Sequence, residues 1–216
     1  MAPTDHGLRI GEIVESSTTG FIARAPLHAP PALGALVRTG GSPSAGAEDP
    51  FAEPTPPEGA AYGVVLGACT ASLESGRRPH AFGLSEDELR REQPQVFELL
   101  ATDFRAALVA CVEGGTVRHR LPARPPRLHA PVEACEPWEV CALCQRTDFL
   151  HGLLRRADCD APEEVLAAFL RQAAECQPDP VAFAVRAGKE LAVFLADDVP
   201  RLLAILAKLG PLPVRN

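Results

Sequence analysis

Hydrophobic positions along the chain change rhythm near residue 132. Upstream, short apolar stretches at Ile13-Val14, Phe21-Ile22, Ala35-Leu36-Val37 and Val64-Val65-Leu66 are separated by Gly and Pro, the punctuation of strands and turns. Leu8 to Glu15 and Gly20 to Ala25 are predicted to pair as a hairpin across Ser16-Ser17-Thr18-Thr19. Leu33 to Thr39 and Tyr62 to Leu73 form a second predicted pair, separated by residues 40–61. With five Pro and four Gly, that stretch has little apolar surface to offset the entropy of ordering, so it reads as a flexible loop. Ser85 and Glu88 have capping-box spacing for a short helix that Gln93-Pro94 would stop. Phe104 to Val112 and Thr116 to Leu121 are a third hairpin across Glu113-Gly114-Gly115.

Downstream of Pro131 the apolar spacing becomes helical. Val140, Leu143, Cys144, Leu150, Leu153 and Leu154 fall on one face of what reads as a continuous helix. Asp160-Ala161-Pro162-Glu163 reads as an N-cap, an early Pro and a capping Glu, ahead of a stripe of Val165, Leu166, Phe169, Leu170 and Ala173. Two more helices are expected over Pro180 to Ala196 and Pro200 to Leu209, the last closed by Gly210-Pro211. Asp197-Asp198 suits capping better than acid–base work, and Gly188 suits close helix packing. The expectation is an α+β chain: a β-rich domain of antiparallel strand pairs over 1–131 and a four-helix bundle over 132–216.

Three segments of the first half, RIGEIVESSTTGFIARAP, PPALGALVRTG and AYGVVLGACTASLES, share a rhythm of aliphatic and Gly positions with one family. So does LATDFRAALVACVEGGTVRHRLPARPPRLHAPV, which is similar to that family's closing strands and Pro-rich exit. The stretch from about residue 8 to 131 resembles the HAS-barrel, the small β-barrel shared by HerA-type DNA translocases and rotary ATP synthase catalytic subunits. The resemblance implies an assembly or partner-contact role, including that of an accessory factor beside a HerA-like translocase. It supplies no catalytic residue. The motor that follows the barrel in those proteins has no counterpart: Ala187-Gly188-Lys189-Glu190 lacks both the upstream Gly and the hydroxyl residue of a phosphate loop.

Composition narrows the classes further. The 216 residues carry a formal net charge of -7, and 19 of the 21 basic residues are Arg, so no overall field draws nucleic acid. No apolar run approaches the roughly 20 residues of a membrane span. The first residues lack the basic start and apolar stretch of an exported chain, which points to the cytoplasm. Seven Cys, an odd number, then read as free thiols.

The densest candidate chemistry is Cys135, Cys141, Cys144, His151 and Cys159, a set of thiolate and imidazole ligands loosely like those of zinc. Cys141 and Cys144 sit inside an apolar helical pattern with no knuckle, so packing is the favoured reading and no metal or other cofactor is expected. A Cys141–Cys144 redox pair and a metal-dependent regulator are the alternatives. Cys69 and Cys111, on predicted strands, are expected to be buried.

The other candidate is a strip of Arg118, Arg120, Arg124 and Arg127, with His119 and His129 and no intervening acid. Pro122, Pro125 and Pro126 would hold it extended, and its guanidiniums could engage phosphate or an acidic protein groove. Without interleaved aromatics, nucleic acid is the weaker of these readings and a solvated linker or protein contact the stronger. The six His, scattered beside Pro, Gly and Arg, are expected in exposed loops. No nucleophile elbow, paired metal-binding His or dinucleotide loop is present, so no catalytic residue is assigned. The sequence reads as a non-enzymatic protein-interaction or assembly module.

Overall fold

The structure, a computed structural model, describes residues 8–41, 54–74, 76 and 78–210. Most of the loop expected over 40–61 lies outside the described residues. Seven strands come first: β1 Arg9–Ser16, β2 Gly20–Ala25, β3 Leu36–Thr39, β4 Ala61–Ser72, β5 Leu100–Glu113, β6 Thr116–Arg118 and β7 Pro131–Ala134. Two short helices, α1 Glu86–Glu92 and α2 Gln95–Glu98, interrupt them before β5. Five helices follow: α3 Pro137–Leu143, α4 Leu150–Leu154, α5 Pro162–Cys176, α6 Pro180–Phe194 and α7 Val199–Leu209. The chain is thus an antiparallel sheet followed by helices. Among the described residues no helix is long and apolar enough to cross a membrane.

The strand order is β2-β1-β7-β3-β4-β5-β6, and β2 also pairs with β5, so six of the strands form a closed circuit of pairings. Closure removes the free edges that an open sheet would present. The predicted strand pairs are present, and two of them are set by local turn chemistry. Ser17 Oγ accepts from the Gly20 and Thr19 N–H groups at the β1–β2 turn, at 3.1 and 3.3 Å. At the β5–β6 turn Gly114 and Gly115 both have positive φ, as a two-residue hairpin of this type requires. Their N–H groups donate to the Glu58 carboxylate at 3.2 and 2.8 Å.

Two cores share β4 and β5. Inside the circuit, Ile13, Phe21, Val37, Val65, Phe104 and Val132 are buried among small residues such as Ala23 and Ala106. The two rings meet edge to face, with centroids 6.5 Å apart. On the outer face, Tyr62, Val64, Ala107, Val109 and Val112 are covered by the helices, with α5 at the centre of that layer. Burial on both faces explains why Ala106 to Val112 is an unbroken apolar run.

Several details depart from the sequence reading. The strand region extends past residue 131, because β7 inserts between β1 and β3 with Val132 fully buried inside the circuit. The helical run from Val140 to Leu154 is broken into α3 and α4, which gives five helices instead of four. The break is held from a distance: His119 Nε2 donates to the Leu143 carbonyl at 2.9 Å, and Arg186 Nη2 donates to that of Cys144 at 2.7 Å. Side chains thus satisfy carbonyls that a longer helix would have bonded internally. Ala161, not Asp160, is the N-cap of α5, with Pro162 in the first turn as expected. Glu163 instead reaches Arg201 at 2.6 Å. Asp198 caps α7 by accepting from the Arg201 N–H. The Ser85–Glu88 capping box of α1 is formed in both directions.

Candidate interaction surface

The four strip arginines are all exposed, but they are not equivalent. Arg118 ends β6, while Arg120, Arg124 and Arg127 lie on the crossing from β6 to β7. Arg120 folds back into an ion pair with Glu113. The side chains of Arg118, Arg124 and Arg127 make no hydrogen bond or ion pair among the described residues. The crossing is not the extended strip expected from its prolines: it bends at His119-Arg120 and Ala123-Arg124 and turns at Leu128-His129.

His119 explains the first bend. Its side chain, only 6% exposed, is drawn inward, with Nδ1 at 2.6 Å from Asp148 Oδ1 and Nε2 on the Leu143 carbonyl. The ring also meets Phe149 edge-on at 5.0 Å. This histidine is not in an exposed loop position, as its sequence context suggested, but pins the crossing to the helices. Burial raises the Asp148 carboxyl, yet the hydrogen bond and charge of His119, with Arg146, outweigh it and hold its pKa below the ordinary value.

The second half of the crossing runs beside β1. Ser16 Oγ donates to the Pro126 carbonyl at 2.7 Å, and the His129 N–H to Ile13 O at 2.9 Å. An open groove of about 540 Å³ on the β1–β2 face is lined by Arg9, Glu12, Arg24, Pro26 and His129 among others. Its floor depends on Gly11, where a Cβ would stand 2.8 Å from Arg24 O and 2.9 Å from a Phe104 ring carbon. Its rim charges are partnered: Glu12 meets Arg9 at 2.6 Å and His129 Nδ1 at 2.8 Å, and Arg24 grips Asp103 through two bonds. The bond from His129 chiefly, helped by Arg9, holds the Glu12 carboxyl below its ordinary pKa. Leu121 and Leu128 are exposed on the same crossing as the unpaired arginines.

Other polar groups hold elements together. A smaller pocket of about 200 Å³ lies at the β1–β2 turn beside Arg156 and Asp158. There Arg156 forks onto Asp158 at 2.8 and 2.6 Å and reaches the Thr19 carbonyl at 2.8 Å. At the seam between the circuit and α3, Tyr62 donates to buried Glu139 at 2.9 Å, and Arg38 pairs with Glu133 and lies 3.4 Å from Glu139. Glu139 also accepts from the Glu136 N–H at 2.9 Å, completing a capping box on α3. Desolvation, then the Glu139 charge, pushes the Tyr62 hydroxyl and the Cys135 thiol well up, which keeps both protonated.

The cysteine set is distributed through this scaffold. Cys141 Sγ donates to the Cys176 carbonyl at 3.0 Å, and buried Cys144 is pushed up to about 12, chiefly by desolvation. His151 stacks on Phe194 at 4.8 Å. Among the described residues no three His, Cys, Asp or Glu side chains gather where a metal ion could be held. Cys111 is buried as expected, but Cys69 is exposed: β4 has there run past its pairing with β3, which ends at Val64, and flanks β5 alone. The inward turn of His119, the Arg38–Glu139–Tyr62 group and the Arg156 fork were not anticipated from sequence. Only Glu136 and Glu139, at capping-box spacing, left a readable signal. Compared with protein-family models and with curated proteins, the sequence finds a match in neither.

Proposed function

We propose that the chain is a non-enzymatic interaction or assembly module built on a HAS-type barrel, which docks a protein partner along the β1–β2 groove and the arginine crossing. The closed circuit of six antiparallel strands supports the likeness to that barrel. One observation carries the docking site: the helices cover β4 and β5, whereas the β6–β7 crossing is left open with three arginines whose side chains have no partner among the described residues. Two exposed leucines on the same segment, Leu121 and Leu128, add apolar anchors between the charges. An acidic, partly apolar protein groove is complementary to that combination, and a rigid wall loses little freedom on binding.

Affinity purification from the native cell, followed by mass spectrometry, tests the reading. The captured partner should be lost, and the salt dependence of its binding reduced, when Arg118, Arg120, Arg124 and Arg127 are changed to Ser. A partner that binds the four-Ser variant with unchanged affinity overturns the docking site. ATP turnover by the purified chain that is abolished by Lys189→Ala overturns the non-enzymatic assignment.

A further inference from the structure

Two cysteines from different helices meet at the end of α5. Cys176 is the last residue of that helix and Gln177 leaves it in extended backbone, so the Cys176 carbonyl lacks the partner that a longer helix would supply. Cys141, on α3, takes that place: its Sγ donates to the Cys176 carbonyl oxygen at 3.0 Å. Covalent geometry keeps a residue's Cβ roughly 3 Å from its own carbonyl oxygen, so the Cys141 sulfur stands at the root of the Cys176 side chain. The two residues are 35 positions apart in the chain, α3 packs directly on α5, and both thiols are only partly buried. A helix end also gives where a helix middle does not, and that allows the small adjustment a disulfide's narrow geometry demands.

The surroundings single this pair out. The third thiol nearby, Cys144, caps the C-terminal end of α3 and is wholly buried. Desolvation pushes it up to about 12, and the neighbouring Cys141 and Cys176 sulfurs act in the same direction. Cys144 therefore stays a thiol, closed off from an oxidant, which removes the Cys141–Cys144 pair that spacing alone suggested. The remaining cysteines belong to other elements, Cys69 to β4, Cys111 to β5, Cys135 to the end of β7 and Cys159 to the approach to α5.

We infer that Cys141 and Cys176 form a reversible modification site, which a peroxide closes to a disulfide tying α3 to the C-terminal end of α5. In the first step the Cys141 sulfur attacks an oxygen of hydrogen peroxide; the O–O bond breaks, the sulfur is oxidised to the sulfenic acid, and the thiol proton leaves in a water molecule. In the second, the Cys176 sulfur attacks the sulfenic sulfur, the S–OH bond breaks, and the Cys176 proton leaves in a second water. Two thiols and one peroxide become one disulfide and two waters, and exchange with an added dithiol reverses the change.

Peroxide treatment of the dilute full chain, followed by alkylation, digestion and tandem mass spectrometry without reduction, tests the site. The expected result is a peptide pair linked through Cys141 and Cys176, lost on adding dithiothreitol. Closing this loop should raise the thermal midpoint of the oxidised chain by roughly 5–15 °C, because the link restricts the unfolded state. Cys141→Ser and Cys176→Ser should each abolish the link and the rise, and Cys144→Ala should keep both. A treated wild type without the Cys141–Cys176 link overturns the inference, and so does a link from either residue to Cys144. A thermal midpoint that falls on oxidation also overturns it, since the fold would then hold the two sulfurs apart.

Discussion

The Nδ1 of His119 lies 2.6 Å from the carboxylate of Asp148, while the opposite ring nitrogen faces the Leu143 carbonyl at 2.9 Å. Both neighbours are acceptors, so each ring nitrogen has a partner on a different element. The consequence is a pin between the β6–β7 crossing and the end of α3. His119→Ala removes two hydrogen bonds at a buried position and is expected to cost about 1–3 kcal/mol. Urea unfolding measures it. Asp148→Asn, on the more exposed side of the pair, should cost less; an alanine variant as stable as the wild type would show that the pin contributes nothing.

Acid should unfold the chain through carboxylates that the fold holds ionised. Asp158, held low mainly by the Arg156 fork, is one. In Asp148 and Glu163 burial works the other way but is outweighed, in Asp148 by His119 and in Glu163 first by a hydrogen bond from its own backbone N–H and then by Arg201. Each folded-state pKa lies below its unfolded value, so the stability these groups contribute is present above the unfolded pKa. That value is roughly 3.9 for Asp and 4.3 for Glu, and the contribution is lost as pH falls through the folded pKa. The urea midpoint should therefore fall as pH is lowered below about 5. Asp158→Asn should flatten part of that fall, and a variant with the wild-type profile contradicts the assignment.

At the seam beneath α3, Glu139 is shared by the Tyr62 hydroxyl, the Arg38 guanidinium and the Glu136 N–H. Removing the carboxylate leaves a buried phenol without its acceptor and a buried guanidinium with less compensation. Glu139→Ala is expected to destabilise by about 3–5 kcal/mol. Tyr62→Phe removes one donor and keeps the charges paired, so about 0.5–1.5 kcal/mol is expected. Thermal or urea unfolding of the two variants checks the order, and an equal effect would show that the ionic part of the group adds nothing.

What could be read from the sequence follows the range of the forces involved. The hairpins and the α1 capping box depend on residues close in sequence, Ser17 with Gly20, Gly114 with Gly115, Ser85 with Glu88, and these were legible. The strand β7 was not: it is four residues long, and its partners lie on Arg9–Glu12 and Val37–Thr39. The break after α3 was hidden for the same reason, since His119 and Arg186 hold it from other elements. The arginine strip was visible in composition, but which arginine is spent inside the fold depends on the β5–β6 pairing that brings Glu113 to Arg120. The ion pairs of Arg201 and Lys208 on α7 with Glu163 and Glu164 on α5 were invisible for the same reason.

The glycines of the first half look alike in sequence and differ sharply in the fold. Gly34, with φ of 75°, enters β3 where α5 crosses, and a Cβ there would lie 2.4 Å from the Phe169 backbone nitrogen. Its N–H donates to Val65 O at 2.9 Å, and Gln172 reaches the neighbouring Leu33 carbonyl at 2.8 Å, so neither α5 nor the strand is free to retreat. Gly67 on β4 has nothing within 4 Å of an added Cβ and no positive φ. Gly34→Ala combines a left-handed backbone with a clash against a helix backbone, and about 3 kcal/mol or more of destabilisation is expected. Gly67→Ala should be neutral or slightly stabilising, since it only restricts the unfolded chain. Urea midpoints of the two alanine variants decide it: similar values would mean that α5 does not seat against the entry to β3, and the packing of the helices on this side of the strand circuit would have to be redrawn.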